Sequence, residues 1–512
     1  MKYQTYLTKS KYISGLECKK YIWLAFNNPS ELPKVDDAMQ HRFDEGHRIG
    51  ELSKTLFPDG IEVKEQLNHK ENDKETRELL KKRKPIFEAG FIHKDGKCYA
   101  RADILVPVGK DEWDIYEVKS ATKVKEEYIL DIAFQRYCYE SAGLKVRNCF
   151  VVHINNEYVK QGKIKAKEFF VIASVTDKVE DEIKNVPENI EKLFKIINLK
   201  KCPEIKVGDS CCLGKEEYYK KNFEEIHKND TFWKENPECN IFDLYYGGKK
   251  AIELFNEGIL SIKDMGENNF TTRAQKKQQK IQYDATKTGK TYHNKDELKE
   301  FIQSLKYPLY FMDFETYATA IPLYDKLKPY QALPFQFSVH VIEKKGTKPK
   351  HHSFIAFGSD DPRPEFTKEL KKALGKEGTI LAYYQPFEKS RLKEIAEFFP
   401  ENASWVESIF ERILDLYDPF KNFAYYNPIQ KGSASLKEVL PALTGKGYGD
   451  MEIGNGTEAS LEYLFITHGS FDGKKATPRE IKKVRTDLEK YCGQDTEGMV
   501  WILERLNKII KS

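Results

Sequence analysis

Two apolar, strand-like runs in this chain carry clustered carboxylates, each set among its own strand and helix patterns. The first, KCYARADILVPV (97–108), leads through a Gly-Lys-Asp-Glu turn into WDIYEVKSAT (113–122); the second, YPLYFMDFET, opens at Tyr307. Carboxylates delivered to the end of an apolar strand are costly unless they are paired or hold a cation. A fold that accepts both runs must therefore accommodate two polar strand ends. At 512 residues the chain is long enough for two or three domains.

Around the first run the pattern alternates. FDEGHRIGELSKTLF (43–57) predicts a helix, EEYILDIAFQRYCYESAGL (126–144) a helix closed by Gly143, and NCFVVHINNEYV (148–159) a strand. Strand, strand, helix, strand implies a mixed sheet with helices on its faces. A lysine-rich, cysteine-bearing stretch follows over roughly 201–300, ending in the polar connector TTRAQKKQQKIQYDATKTGK (271–290). From about 301 strand and helix patterns resume through PFQFSVHVIE and GTILAYY to DLEKYCGQDTEGMVWILERL. The expected organisation is an α/β chain with domains at 1–200 and 301–512 and a mostly helical bridge over 201–300.

Composition narrows the function classes. With 40% hydrophobic and 13% aromatic residues the chain can fill packed cores, so its 32% charged content describes a wet surface and not disorder. Net charge is only +4, from 84 basic and 80 acidic residues, so nucleic-acid binding would rest on local patches. No apolar run approaches the 18 or so residues of a membrane span, and the opening segment lacks the h-region of a signal peptide. Nine cysteines, an odd number, argue against a disulfide framework. The expectation is a cytoplasmic protein with no membrane partner. No P-loop is present, which argues against ATP-driven translocation.

The first carboxylate group is Asp103 with Glu117 and Lys119. Residues two apart on a strand share a face, so Glu117 and Lys119 project together, and Asp103 meets Glu117 if the two strands pair as a hairpin. Two carboxylates there suit a hard divalent cation, with Lys119 stabilising charge on a phosphate. Gln135 and Tyr139 follow at i, i+4 on one helical face. Without a metal, the same residues are an acid, a Glu–Lys surface pair and a helix Gln on a solvated strand edge.

RADIL, YEVKSAT and FQRYCYE resemble the motifs of the RecB-like branch of PD-(D/E)xK nucleases, which includes the Cas-four-type enzymes. That resemblance implies a restriction-endonuclease-like mixed sheet, Asp103 and Glu117 as ligands of Mg²⁺ or Mn²⁺, Lys119 as the catalytic lysine, and Gln135 and Tyr139 as an added catalytic motif. The family often places a metal-binding His four residues after a helix glycine. Here Gly50 takes that place after Gly46, and His47 stands one residue from the glycine. Such nucleases often hold a [4Fe–4S] cluster with one upstream and three downstream cysteines. Cys18 resembles the upstream position, and Cys202, Cys211, Cys212 and Cys239 are the downstream candidates, although their spacing is not the family's. Buried thiols are the other reading. Cys98, Cys138, Cys149 and Cys492 fall inside expected elements and read as core.

In the second run Asp313 and Glu315 share a strand face. AYYQPFEKSRL (382–392) places Glu388 at a helix start, and YCGQDTEGM puts Tyr491 and Asp495 at i, i+4 on one helix. D-x-E, an acid after Phe, then Y-x-x-x-D resembles the DnaQ-like, or DEDD, exonucleases of the ribonuclease-H-like fold. By that resemblance Asp313, Glu315, Glu388 and Asp495 hold two divalent metals, and Tyr491 positions the attacking water. Glu388 and Tyr384 depart from that pattern, where Asp and Asn are usual; Asp415 resembles a following non-ligand acid. The aromatic strings YYQPF and FAYYNP offer rings for base stacking or for core packing. Both cores in this order resemble the domain-of-unknown-function 2779 proteins, which join a RecB-like nuclease to a DnaQ-like exonuclease domain. The implied activity is metal-dependent hydrolysis of DNA, with single-stranded ends as one substrate form. A nucleic-acid-binding scaffold with inactive sites and an RNA-processing 3′–5′ exonuclease are the alternatives.

Overall fold

The computed structural model describes residues 6–64, 68–204, 239–270, 275–449 and 451–512. They form an α/β protein with two mixed sheets and many helices, divided into two compact units: Met1–Asn229 with Thr319–Gln331, and Asp230–Ala318 with Ala332–Ser512. The described part of the cysteine-bearing stretch, from Cys239 on, belongs to the second unit, and Thr319–Gln331 belongs to the first. Among the described residues, no helix is long and apolar enough to cross a membrane.

The first unit is built on a seven-stranded sheet. Its order is β2 (Ile61–Glu62), β3 (Ile86–Ile92), β4 (Cys98–Val108), β5 (Glu112–Lys119), β6 (Lys145–Ile154) and β7 (Phe170–Ser174), with β1 (Leu7–Thr8) paired to β4 as well. The expected hairpin forms: β4 and β5 pair antiparallel from Ile104↔Tyr116 to Val108↔Glu112. β5 then runs parallel to β6, which makes the sheet mixed. β4 is longer than its pairing with β5, and β1 takes up the remainder, parallel, at Leu7↔Cys98 and Thr8↔Tyr99. The carboxyl ends of β1 and β5 therefore approach each other along the same side of β4. Helices α1 (Lys9–Glu17), α2 (Lys19–Asn27), α3 (Asp37–Lys54), α4 (His69–Leu80) and α5 (Glu126–Ser141) complete the parts that matter below. α5 starts with Glu126 and Glu127, acids that favour a helix N-terminus, and packs Ile132, Ala133, Phe134 and Cys138 into the core.

The second unit holds a two-stranded sheet, β8 (Tyr292–His293) with Tyr425–Tyr426, and a five-stranded one. β11 (Lys350–Ile355), β10 (Leu333–Ile342) and β9 (Leu309–Tyr317) pair antiparallel, and β9, β12 (Thr379–Ala382) and β13 (Ile413–Asp415) pair parallel. β9 lies in the middle, which explains why LYFM is apolar on both faces. The long helix Pro478–Ile509 packs on β9 and β10. Its start follows from sequence: Thr477 and Glu480 form a reciprocal capping box, with Pro478 at the first helical position. The helix Leu436–Thr444 packs on it and ends at Gly445, whose φ of 74° is the left-handed C-terminal conformation glycine accepts readily.

Candidate functional site

Two acidic centres stand at strand ends, one in each unit. In the first, Glu117 near the end of β5 is 1% exposed and accepts bonds from Lys119 Nζ (2.8 Å), Gln135 Nε2 (2.8 Å) and Lys9 Nζ (2.6 Å). Asp131, one turn before Gln135 on α5, accepts from Lys119 Nζ (2.7 Å) and Gln135 Nε2 (3.0 Å). Asp103 on β4 accepts from the Val118 amide at 2.7 Å, so a side chain holds the two strands together beyond their last backbone pair. Asp103, Glu117, Lys119 and Gln135 thus share one centre, as expected.

Lys9 and Asp131 were not anticipated. Lys9 follows β1 directly, and its place depends on β1 sharing one side of β4 with β5, a pairing that spacing does not reveal. Asp131 was discoverable, because DIAFQ puts it four residues before Gln135 on the same helical face.

Burial raises the Glu117 carboxyl above its usual range, Asp103 adds to the rise, and Lys119 and Lys9 oppose it. Burial works against the charge of Lys9 and Lys119, but Glu117, Asp131 and Asp103 outweigh it and hold both ammoniums above the ordinary lysine value. Asp131 is likewise resisted by burial, yet Lys9 and Lys119 hold it well below the carboxylate range. Three acids against two lysines leave about one net negative charge, to which a divalent cation and a phosphate are complementary.

Two sequence candidates lie away from these carboxylates. The Tyr139 hydroxyl donates to the Ala89 carbonyl and accepts from the Ala102 amide (2.8 Å), fully buried in the core. It fastens α5 to β3 and β4, so its place in the catalytic set is corrected to a structural one. His47 is exposed on α3, with Nδ1 3.0 Å from the Phe43 carbonyl oxygen. The buried acid of that helix is Glu45, which accepts the Ala320 amide at 2.7 Å.

The described cysteines differ in their settings. Cys18 caps α2, its sulfur accepting the Tyr21 amide (3.3 Å), and it is disulfide-bonded, a departure from the thiols expected. Cys202 is half-buried, Cys239 Sγ donates to the Pro428 carbonyl within the second unit, and Cys211 and Cys212 lie outside the described residues. Cys98, Cys138 and Cys149 are buried thiols, as expected.

In the second centre Asp313 and Glu315 project from one face of β9 toward the helix Pro478–Ile509, which carries Tyr491, Cys492 and Asp495. Asp313, Glu315 and Cys492 each offer a ligand atom, all within 4.8 Å of one another. Cys492 Sγ stands 3.6 Å from Asp313 Oδ2, so this cysteine, read as core from sequence, is buried beside the acids. Glu388, in the first turn of Pro386–Phe398, is 1% exposed, and its Oε2 has no hydrogen-bond partner among the described residues.

Burial raises all four acids. Asp495 adds to the rise at Asp313, and Asp313 adds to it at Glu315 and Glu388. Asp495 is pushed up to about 6 by burial, against hydrogen bonds from Tyr448 and Tyr491 and the charge of Lys437. The N-terminus of the helix Gly456–His468 also approaches: a Cβ on Gly456 would stand 3.4 Å from Glu315 Oε2. Tyr448, Lys437 and Gly456 lie in loops or helix starts with no acid pattern, and sequence reading missed them.

Asp415 ends β13 and is not one of these four. Its carboxylate accepts the amides of Tyr384 (2.8 Å), Gln385 (3.0 Å) and Tyr417 (3.0 Å), tying the β12 and β13 exits together. Asp361 is bonded twice to the buried Arg363 guanidinium, which stacks on Phe398, so this ion pair closes a loop.

Comparison with known proteins bears on the second centre. The chain is 27% identical over 320 residues to Uncharacterized protein UU173 of Ureaplasma parvum, covering 56% of this chain and 43% of that one. It is 25% identical over 226 residues to Uncharacterized protein MG366 homolog of Mycoplasma pneumoniae, covering 40% and 33%. The matches thus span less than half the length of these relatives. Asp313, Glu315, Glu388 and Asp415 all fall within residues 310–435, and that stretch matches the family described as Domain of unknown function (DUF2779).

Proposed function

We propose that this protein is a metal-dependent nuclease that hydrolyses phosphodiester bonds of DNA, with a RecB-like PD-(D/E)xK centre at Asp103, Glu117 and Lys119 and a DnaQ-like centre at Asp313, Glu315, Glu388 and Asp495. The observation that carries the reading is the second centre. Three buried acids, Glu315, Glu388 and Asp495, crowd one strand end with the half-buried Asp313; Lys437 offsets Glu315 and Asp495, and all four carboxyls are raised. Such a charge excess is costly in a folded core unless cations share it. The donor set, oxygen-rich with one bare buried carboxylate oxygen at Glu388, fits Mg²⁺ or Mn²⁺. Held there, such ions would withdraw charge from a phosphate and ease its attack by water.

The chain's own groups then divide the work. Tyr491 and Tyr448 donate to Asp495 and orient it. Tyr491 sits one residue from Cys492 on the wall facing Asp313, where a hydroxyl can position the attacking water. In the first centre Lys119 is held by Glu117 and Asp131 and stays protonated, ready to stabilise charge on a phosphate oxygen. Gln135 fixes both acids through one amide group.

Labelled single- and double-stranded DNA and RNA, incubated with the purified chain with and without Mn²⁺, test this. Mn²⁺-dependent DNA cleavage is expected, lost in part with Lys119→Ala and in part with Asp313→Ala. Cleavage of RNA alone would assign the protein to RNA processing. Absence of cleavage on every substrate would favour a nucleic-acid-binding scaffold, a reading supported by Lys9, whose ammonium already neutralises Glu117.

A further inference from the structure

Five tyrosines from three separate segments of the second unit line a single open cavity of about 580 Å³: Tyr245 and Tyr246, Tyr383 and Tyr384, and Tyr417, with Ser435 on its rim. The volume falls in the range of sites for small organic ligands, about 300–1,000 Å³. Core packing accounts for Tyr383, whose hydroxyl donates to the Ala434 carbonyl (2.6 Å), and for Tyr245, whose ring stands edge-on to Phe423. It does not account for Tyr246 and Tyr384, which are 72% and 57% exposed. Both also adopt positive φ, 47° and 73°, a conformation that bulky side chains rarely take and that costs energy wherever it is kept. At Tyr384 the conformation is imposed: Asp415 binds its amide and the next one, while the ring meets Tyr417 at 5.9 Å and 89°. Aromatic faces are thus held toward solvent at an energetic cost.

The cavity adjoins the second acidic centre. Tyr383 and Tyr384 follow β12, and Tyr417 follows β13, at the carboxyl ends of parallel strands, where open α/β sheets bind ligands. Four residues past Tyr384 comes Glu388. Ser435, which also lines the cavity, is the N-cap of Leu436–Thr444, and Lys437 in the same turn lies over the rings of Tyr448 and Tyr491 (5.6 and 5.8 Å). Two of the segments that wall the cavity therefore also reach the carboxylates. An uncharged ring system in the cavity, joined to an anion between the two helix starts, satisfies both neighbours; a nucleotide is such a molecule. A duplex keeps its bases stacked inside and cannot offer one singly, whereas an unpaired end can.

We propose that the tyrosine cavity seats an unpaired base at the end of a nucleic-acid strand and so delivers its phosphate to the carboxylates of the second centre. This rests on the nuclease reading for its substrate class, and the test separates the two. Fluorescein-labelled (dT)10 is titrated with the full chain in Ca²⁺, and its cleavage is followed in parallel in Mn²⁺. Binding is expected to weaken about 10-fold in Tyr246→Ala and in Tyr384→Ala, in line with the stacking worth of an aromatic platform. Tyr246→Phe and Tyr384→Phe keep the ring and should bind within about 2-fold of the parent, which guards against misfolding as the cause. A blunt duplex should bind the parent and the Ala variants alike. Unchanged (dT)10 affinity in both Ala variants overturns the cavity's role, and Mn²⁺-dependent cleavage persisting in them would leave the nuclease reading standing. Weakened binding in a chain that cleaves nothing would support the cavity and overturn the nuclease reading.

Discussion

Lys9 Nζ lies 2.6 Å from Glu117 Oε1, although 108 residues separate them. The contact exists because β1 and β5 share one side of β4 and bring their carboxyl ends together. An ammonium there takes the charge role that a cation would take, so on the proposed reading Lys9 would compete with a divalent ion for the same carboxylate. Lys9→Met, made in an Asp313→Asn background that weakens the second centre, should bind Mn²⁺ more tightly, about 5- to 10-fold, because a like charge a few ångströms away is removed. Isothermal titration measures this. Equal or weaker Mn²⁺ binding would mean that Lys9 does not compete.

Tyr139 and Gln135 share a helical face yet have different jobs. Tyr139→Phe strips a hydroxyl from the buried Ala89 carbonyl and Ala102 amide and should cost about 1–3 kcal/mol of stability with little change in turnover. Gln135→Leu should leave Glu117 and Asp131 misaligned and lower cleavage by the first centre. Urea denaturation beside single-turnover assays separates the two; a Tyr139→Phe variant of normal stability and poor turnover would reverse the assignment.

The second centre sets a pH dependence. Asp313, Glu315, Glu388 and Asp495 bind protons more tightly folded than unfolded, since burial raises each. From the unfolded carboxyl range near pH 4 up to and beyond the value of about 6 for Asp495, the folded state holds more protons, so metal-free stability falls as pH rises. On the proposed reading divalent ions would bind the ionised acids and should restore what is lost. The rise in melting temperature on adding Mn²⁺ is therefore expected to be larger at pH 7.5 than at pH 5 and to shrink in Asp313→Asn. A metal effect independent of pH would place the binding elsewhere.

Asp415 acts through backbone amides. Asp415→Ala leaves the amides of Tyr384, Gln385 and Tyr417 without their acceptor, with an expected loss of about 2–3 kcal/mol. Because the β12 exit also carries Glu388, Mn²⁺ affinity should drop as well, while Asp415→Asn, with one oxygen left, should fall between. Thermal melts and metal titration on both variants check the order; an Ala variant as stable as the parent would show that the turn holds itself.

What could be read without coordinates was local in origin. Alternation marked β4 and β5, the Gly-Lys-Asp-Glu turn joined them, and a two-residue period put Glu117 with Lys119 and Asp313 with Glu315 on shared faces. Helical spacing paired Tyr491 with Asp495, although the helix that carries them starts at Pro478, ahead of the DLEKYCGQDTEGMVWILERL stretch that marked it. These patterns are legible because each is set by backbone periodicity over a few residues. Tertiary structure alone decided the rest. It brought Lys9 to Glu117, turned the Tyr139 hydroxyl into the sheet, set Cys492 beside Asp313 and gathered five tyrosines around one cavity. Each of these depends on which strands become neighbours and which helix face packs down. Those choices are made by the burial of whole surfaces, and no short window of sequence contains them.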